Sequence, residues 1–248
     1  MNDTRPHSQS TSGAFEQPEQ AQLRPVLERL SFVLSSTGLG VWERDLATDR
    51  VTWSESMYRL FGRTSAHFSG SPDQVLSFVH PEDRVPFRDA YRAAIESQSN
   101  SFEQEYRIIR SDGEIRWVHR RGQVRRGPDG KARSVLGVAM DITERKQAEA
   151  LNARLAAIIA AADDTILSLS PEGINLSWNP AGTRTFGYAA EEIIGQSVRR
   201  LYPAGADAEF EEHYAQVRRG EHVHTEARRI RKDGTSLSVS ITCTDCQW

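Results

Sequence analysis

The apolar run SVLGVAM, residues 134 to 140, continues without a break into DITERKQAEALNARLAAII, residues 141 to 159. The run has strand length. Beyond it, Ala148, Leu151, Leu155, Ile158 and Ala162 recur at intervals of three, four, three and four, the stripe of a helix offering a coiled-coil seam. Asp141 and Thr143 are both good capping residues, and Asp141 with Glu144 has capping-box spacing, so the pattern predicts a helix beginning at this junction. Because strand and helix share one backbone, a small shift of the strand must move the helix. Asp141 and Thr143 are therefore the candidate signal-coupling residues, and Ala148, Leu151, Leu155 and Ile158 the candidate dimer seam. The competing reading is a plain amphipathic connector. Leu23, Leu27, Leu30 and Leu34 form a similar stripe nearer the start of the chain.

Between these stripes, GVWERDLATDRVTWS reads as two short strands around Ala-Thr-Asp-Arg, followed by a more helical middle from Glu55 to Ser97. In HPEDR, Pro81 and two acidic residues suit a helix start. FEQEYRIIR, EIRWVHRRGQVRR and ARSVLGVAMDI follow, separated by Asp112-Gly113 and Pro128-Asp129-Gly130, which predicts a three-strand antiparallel meander. Centring the turn on Asp112-Gly113 sets Ile108 opposite Trp117 and Tyr106 opposite His119, with apolar residues on both faces. The class is α+β, with helices covering one sheet face.

The pattern occurs twice. Leu30, Leu34, Trp53, Phe61, Gly62 and Gly70 recur as Leu155, Ile159, Trp178, Phe186, Gly187 and Gly195, each 125 positions later. RIIRSDG at 107 to 113 answers RRIRKDG at 228 to 234, where the offset is 121, so one loop of the second copy is four residues shorter.

Trp53 to Phe61-Gly62, HPEDR, EYRIIRSDGEIRWV and DITERKQAE, over about residues 30 to 248, resemble tandem PAS domains with the PAC motif of bacterial signal-transduction proteins. The resemblance implies two five-stranded antiparallel sheets of order 2-1-5-4-3, helices on one face of each, and amphipathic coiled-coil-like helices joining them. The expected organisation is a disordered polar tail (1–20), an N-terminal signalling helix (21–37), the first domain (38–143), a linker helix (144–162) and the second domain (163–248). That second copy lacks a counterpart of SVLGVAMDIT. If the strand order holds, its strands one and four lose a partner, which leads to the expectation that these residues belong to a longer chain or to one cut inside the second domain.

With 31 Lys plus Arg against 34 Asp plus Glu, the formal charge of -3 creates no global field for nucleic acid or anionic lipid. The basic run RWVHRRGQVRR reads as a solvated sheet face, since only Trp117 interleaves it. Cysteine is sparse, the start is polar, and no stretch reaches the length of a membrane span, so the expected location is cytoplasmic without membrane insertion.

By resemblance, the lining of a pocket in copy one includes Trp42, Phe61, Phe78 and Tyr106, which serve equally as ordinary core aromatics. The cofactor is unknown; an unoccupied core ranks ahead of haem or flavin. The helical regions hold no cysteine for flavin photoadduct chemistry. His80 lies at a helix entrance, and His213 lies about one turn past the haem-ligand place, which Phe210 occupies. Trp178-Asn179 superficially matches a redox-flavin pair. Centring the second turn on Asp233-Gly234 places His224 opposite Cys243 and His222 opposite Asp245, a weak metal-like cluster set against an expectation of no metal.

No phosphate-binding Gly-rich loop, nucleophile elbow, His-Glu-x-x-His, phosphoacceptor-His helix, ATP-binding region or cyclase motif is read within the 248 residues. No catalytic residue is assigned, and enzyme status depends on what the module serves. The expectation is a sensory module that detects a small molecule, redox state or partner and relays it through linker helices, as a homodimer, to the output kinase domain of a sensor histidine kinase. A stand-alone PAS interaction module that binds a kinase or response regulator, or the input part of a diguanylate cyclase, is the alternative.

Overall fold

The structure is a computed structural model and describes residues 29, 32, 34, 36–97 and 100–244. Most of the two segments expected before the first domain, including Leu23, Leu27 and Leu30 of the first stripe, lies outside the described residues. The chain divides into two units at Gln147 and Ala148.

In the first unit, strands β1 (Gly40–Asp45) and β2 (Arg50–Trp53) form the opening hairpin. Helices α1 (Glu55–Phe61), α2 (Pro72–Phe78) and α3 (Arg84–Glu96) follow. The meander is β3 (Ser101–Ile109), β4 (Ile115–Arg126) and β5 (Ala132–Asp141). The sheet order is β2-β1-β5-β4-β3, so the last strand is the central one, hydrogen-bonded by β1 and β4. Its inward residues Val135 and Ala139 are buried with Val118, Ile108, Val79 and Phe61 in one apolar core against the helices. Fully burying side chains such as Phe61 stabilises by about 1.5–3 kcal/mol each.

Two motifs that are separate in sequence meet here. Pro81 opens the 3-10 turn Pro81–Asp83 leading into α3, where its missing N–H goes unneeded. The carboxylates turn toward β3. Asp83 accepts the backbone N–H of Arg107 at 2.7 Å and its guanidinium at 3.0 and 2.6 Å, while Glu82 takes the same guanidinium at 2.8 Å. Hydrogen bonds from Arg107 hold the Asp83 carboxyl below the usual carboxylate range. HPEDR and EYRIIR are thus two halves of one clamp between the helical segment and the sheet.

The meander forms, but its register differs by one residue from a turn centred on Asp-Gly. Ile108 faces Arg116, not Trp117, and Tyr106 faces Val118, not His119. Arg110 N–H donates to Glu114 O at 2.9 Å, which leaves Ser111, Asp112 and Gly113 as a three-residue loop with Gly113 in the left-handed region at φ 85°. A three-residue hairpin loop ends in such a residue, and glycine takes that conformation without steric penalty. The second hairpin repeats this geometry, with Arg231 N–H on Thr235 O and Gly234 at φ 84°.

In the second unit, α4 (Thr143–Ala161), which begins in the first, leads to β6 (Leu167–Leu169), β7 (Asn175–Trp178) and α5 (Pro180–Phe186). Then come α6 (Ala190–Ile193), α7 (Asp207–Arg218), β8 (Val223–Ile230) and β9 (Ser236–Cys243). The 125-residue offset carries β2 onto β7 and α1 onto α5 without adjustment. Both helices end on a left-handed glycine, Gly62 and Gly187. The core gathers Trp178, Phe186, Ile193, Val198, Leu201 and Phe210. Among the described residues the strands form two separate pairs, β6 with β7 and β8 with β9. Among the described residues no strand pairs with β6 and β9 as β5 pairs with β1 and β4. The consequence is visible in β9, none of whose residues is buried, whereas β4, its counterpart, buries Val118, Arg120, Gly122 and Val124.

Asp83→Asn is expected to lower the stability of the first unit by about 2 kcal/mol, the scale of charge-assisted hydrogen bonds. Since folding lowers the Asp83 pKa, this contribution is full above the unfolded carboxylate value and is lost as pH falls through the folded one. Urea unfolding followed by circular dichroism at neutral and acid pH measures both. Parent and variant of equal stability at pH 7 would contradict the clamp.

Candidate functional site

The central strand of the first sheet does not stop when its ladder ends. Ile142, 4% exposed, donates its N–H to Trp117 O at 2.9 Å, and the Trp117 N–H donates back to the Thr143 hydroxyl at 3.0 Å. A side-chain oxygen thus takes over where a strand carbonyl would have been. Asp141 Oδ1 accepts the Thr143 N–H at 2.9 Å, and Oδ2 accepts Arg116 at 2.8 Å. Burial raises the Asp141 pKa, but hydrogen bonds from Thr143 and Arg116 outweigh it and the net direction is down.

The predicted capping box does not form, because the helix starts at Thr143 and leaves Asp141 as the last residue of β5, with Ile142 between them. Asp141 instead binds the N–H two residues on, the geometry that lets a short polar side chain bridge a chain turn.

The first turn of α4 is fastened a second time. Glu105 on β3 accepts from Lys146 at 2.6 Å and from Arg145 at 2.5 Å, and these partners, Lys146 first, hold its carboxyl below the usual range. The Lys146 ammonium and the Arg107 guanidinium lie 5.3 and 5.5 Å from the Trp117 ring centre. Trp117 is therefore on the outer sheet face, beside the helix start. The sequence left that face open.

Farther along α4 nothing is buried. Leu151, Leu155 and Ile158 of the seam are 57%, 49% and 58% exposed, Ala148 is exposed too, and Ala162 lies one residue beyond the helix end. The distal end of α4 is held inside the second unit by Asn179, the residue that follows Trp178 in the flavin-like pair. Its amide donates to Ile159 O at 3.1 Å and Asp164 O at 2.9 Å, while its Oδ1 accepts the N–H groups of Ile166 and Gly182, both at 3.0 Å. Every polar atom of that side chain is used. The signal was there to find, an Asn-Pro at a helix start following a strand.

The candidate pocket residues Trp42, Phe61, Phe78 and Tyr106 are all buried in the first core. They fall in two aromatic groups. Phe61 and Phe78 cluster around Trp53, whereas Trp42 contacts Phe102 at 6.2 Å and Tyr106 packs edge-on to Phe87 at 4.8 Å. Burial pushes the Tyr106 hydroxyl up to about 12.

Among that second group sits a residue that the basic run alone assigns to a solvated face. Arg120 of the basic run is 4% exposed and points inward with Val118, Gly122 and Val124. The correction follows from strand alternation, since Arg121 and Arg125 face out while Arg120 shares the parity of the valines. Its Nη2 donates to Phe87 O at 2.6 Å and to Gln104 Oε1 at 2.8 Å.

The metal-like cluster does not assemble as the pattern suggested. The one-residue register difference sets Cys243 opposite Val223 and His224 opposite Thr242, so His224 and Cys243 lie on opposite faces. His224 bonds the Thr242 hydroxyl at 3.0 Å, and His222 is exposed before β8. Asp245 lies outside the described residues. On α7, Phe210 is buried in the core and His213 is 3.9 Å from Glu209; His80 holds its backbone N–H on Arg107 O.

Two models of the PAS fold match the chain, one over residues 50–139 and one over residues 153–246. The chain is 28% identical to the sensor protein FixL of Bradyrhizobium diazoefficiens over 219 residues, 85% of this chain and 43% of that protein. It is 32% identical over 123 residues to a blue-light-activated histidine kinase of Brucella anthropi, 50% of this chain and 24% of that one. It thus spans less than half the length of these curated relatives. A sensory box histidine kinase/response regulator structure from Burkholderia thailandensis matches with TM-score 0.45 and 25% identity, over 52% of this chain and 97% of that one.

Thr143→Val, which leaves the Trp117 N–H without its acceptor, is expected to cost about 1–3 kcal/mol and to speed hydrogen exchange at that amide, whereas Thr143→Ser retains protection. Equal exchange in Thr143→Val and the parent would contradict the bridge.

Proposed function

The chain belongs to the PAS-fold family, in two tandem copies, and we propose that it is the cytoplasmic sensory portion of a sensor histidine kinase. A change inside the first domain moves β5, and α4 carries the movement onward to an output domain. The single observation behind this reading is the junction at Asp141 to Lys146, where the central strand and the connecting helix are fastened to β4 and β3 at the same place. A plain connector needs no such fastening. The kinase output is inferred from the relatives' names, and the cytoplasmic setting from the low cysteine content together with the lack of any membrane-length apolar helix among the described residues.

In this reading α4 also dimerises. Ala148, Leu151, Leu155 and Ile158 present an apolar stripe with no buried residue along the helix, and such a seam is covered by a second copy. Asp141 and Thr143 are the coupling residues.

The output is tested in the gene. A phosphoacceptor-histidine helix and an ATP-binding region encoded in frame beyond Trp248, with phosphate transfer from ATP to that histidine, are expected. A stop codon there contradicts the kinase and favours the stand-alone module; a cyclase domain keeps the sensor and changes the output. For the seam, Leu151→Lys with Leu155→Lys is expected to convert a sedimenting dimer into a monomer while the first domain stays folded, because lysines in a buried seam are strongly destabilising. Unchanged sedimentation would remove the dimer.

A further inference from the structure

The interior of the first domain holds a positive charge that meets no negative partner among the described residues. Burial pulls the Arg120 guanidinium down to about 10, which leaves it charged at neutral pH. Among the described residues no carboxylate lies within ion-pair distance of it; its acceptors are the neutral Phe87 carbonyl and Gln104 amide. Its Nε is buried and meets no acceptor at all. Three rings surround the group, Phe87 at 3.4 Å, Phe102 at 4.9 Å and Tyr106 at 5.4 Å from the guanidinium carbon. The Tyr91 ring packs against Phe102 at 5.8 Å and lies 4.9 Å from the Arg44 guanidinium, and its buried hydroxyl makes no hydrogen bond of ordinary geometry.

The second unit shows the contrasting solution. Arg229, 3% exposed and lying over the Tyr202 ring, is paired with Glu209 at 2.8 Å. A buried guanidinium facing aromatic rings is met there by a carboxylate of the chain itself. Among the described residues of the first unit no such carboxylate meets Arg120, and aromatic attraction to the cation replaces only part of the lost hydration. Burial on a strand leaves Arg120 only 4% exposed, with its Nε edge out of reach of any acceptor. The unmet requirement is an anion that enters with an apolar body.

We propose that the interior of the first domain binds a small organic carboxylate, which seats its carboxylate on the Nε edge of Arg120 and its body among Phe87, Phe102 and Tyr106. Tyr91 supplies a hydroxyl donor at the same aromatic group. Ligand charge on β4 is then delivered to the strand that hydrogen-bonds β5 and caps α4 through Trp117. The inference deepens the sensory reading and rests on it for that consequence, but binding itself is independent of any output.

The test uses the full chain with acetate, butyrate, hexanoate and benzoate, each against its neutral amide, read by thermal shift and native mass spectrometry. At least one carboxylate with an apolar body is expected to raise the melting temperature saturably where its amide does not. Arg120→Met is expected to weaken that binding by roughly ten- to a hundredfold, the scale of a charge-assisted hydrogen bond. If Arg120→Met fails to fold, the acid and amide comparison on the parent still decides. Carboxylates that stabilise no better than their amides would overturn the proposal, as would full binding by a folded Arg120→Met. Stabilisation by acetate and inorganic phosphate alike, without dependence on an apolar body, would also overturn it, because any anion would then suffice. A junction that fails to transmit motion would leave this result untouched.

Discussion

The interaction on which the rest depends is the exchange of hydrogen bonds between Trp117 and the two residues that follow β5. A strand in the middle of a sheet is held on both sides, so it moves only with its neighbours. A helix that simply follows such a strand is free to swivel about the connecting residues. Here the Thr143 hydroxyl and the Ile142 N–H keep the pairing with β4 going through the turn itself, and Asp141 closes the turn from below. The ion pairs from Glu105 to Lys146 and Arg145 are partly exposed and contribute modestly, but they fix the azimuth of the helix rather than its attachment.

Much of this was legible in the residues. The repeat placed both copies, the Asp-Gly turns placed both hairpins, and the abrupt change from strand period to helix period marked the junction within one residue of its observed position. These features rest on local periodicity and glycine geometry. What failed was whatever turned on a single residue of register. A three-residue loop closing on a left-handed glycine has the same Asp-Gly signature as a two-residue turn, and the difference moved Trp117 off its expected partner and separated His224 from Cys243. Asp141 was expected as the helix cap and is instead the last strand residue.

Arg120 was hidden for a different reason. A charge in a basic run is ordinarily solvated, and that prior outweighed the alternation placing it beside Val118 and Val124. The fastening role of Asn179 is not legible from the repeat, because its counterpart in the first copy, 125 positions earlier, is Ser54, which accepts the Val41 N–H but does not reach a helix end. The two copies thus share a framework and differ in the polar groups that do the fastening: one holds the start of α4 and the other its last turn.

The central claim is that β5 and α4 move as one body. Backbone amide relaxation from Met140 through Lys146 tests it most directly. The account predicts order parameters of about 0.85 along the whole stretch, continuous with the strand and with the first helical turn. A dip below about 0.6 at Ile142 to Glu144 would mean that the helix swivels on its own, and would contradict the account.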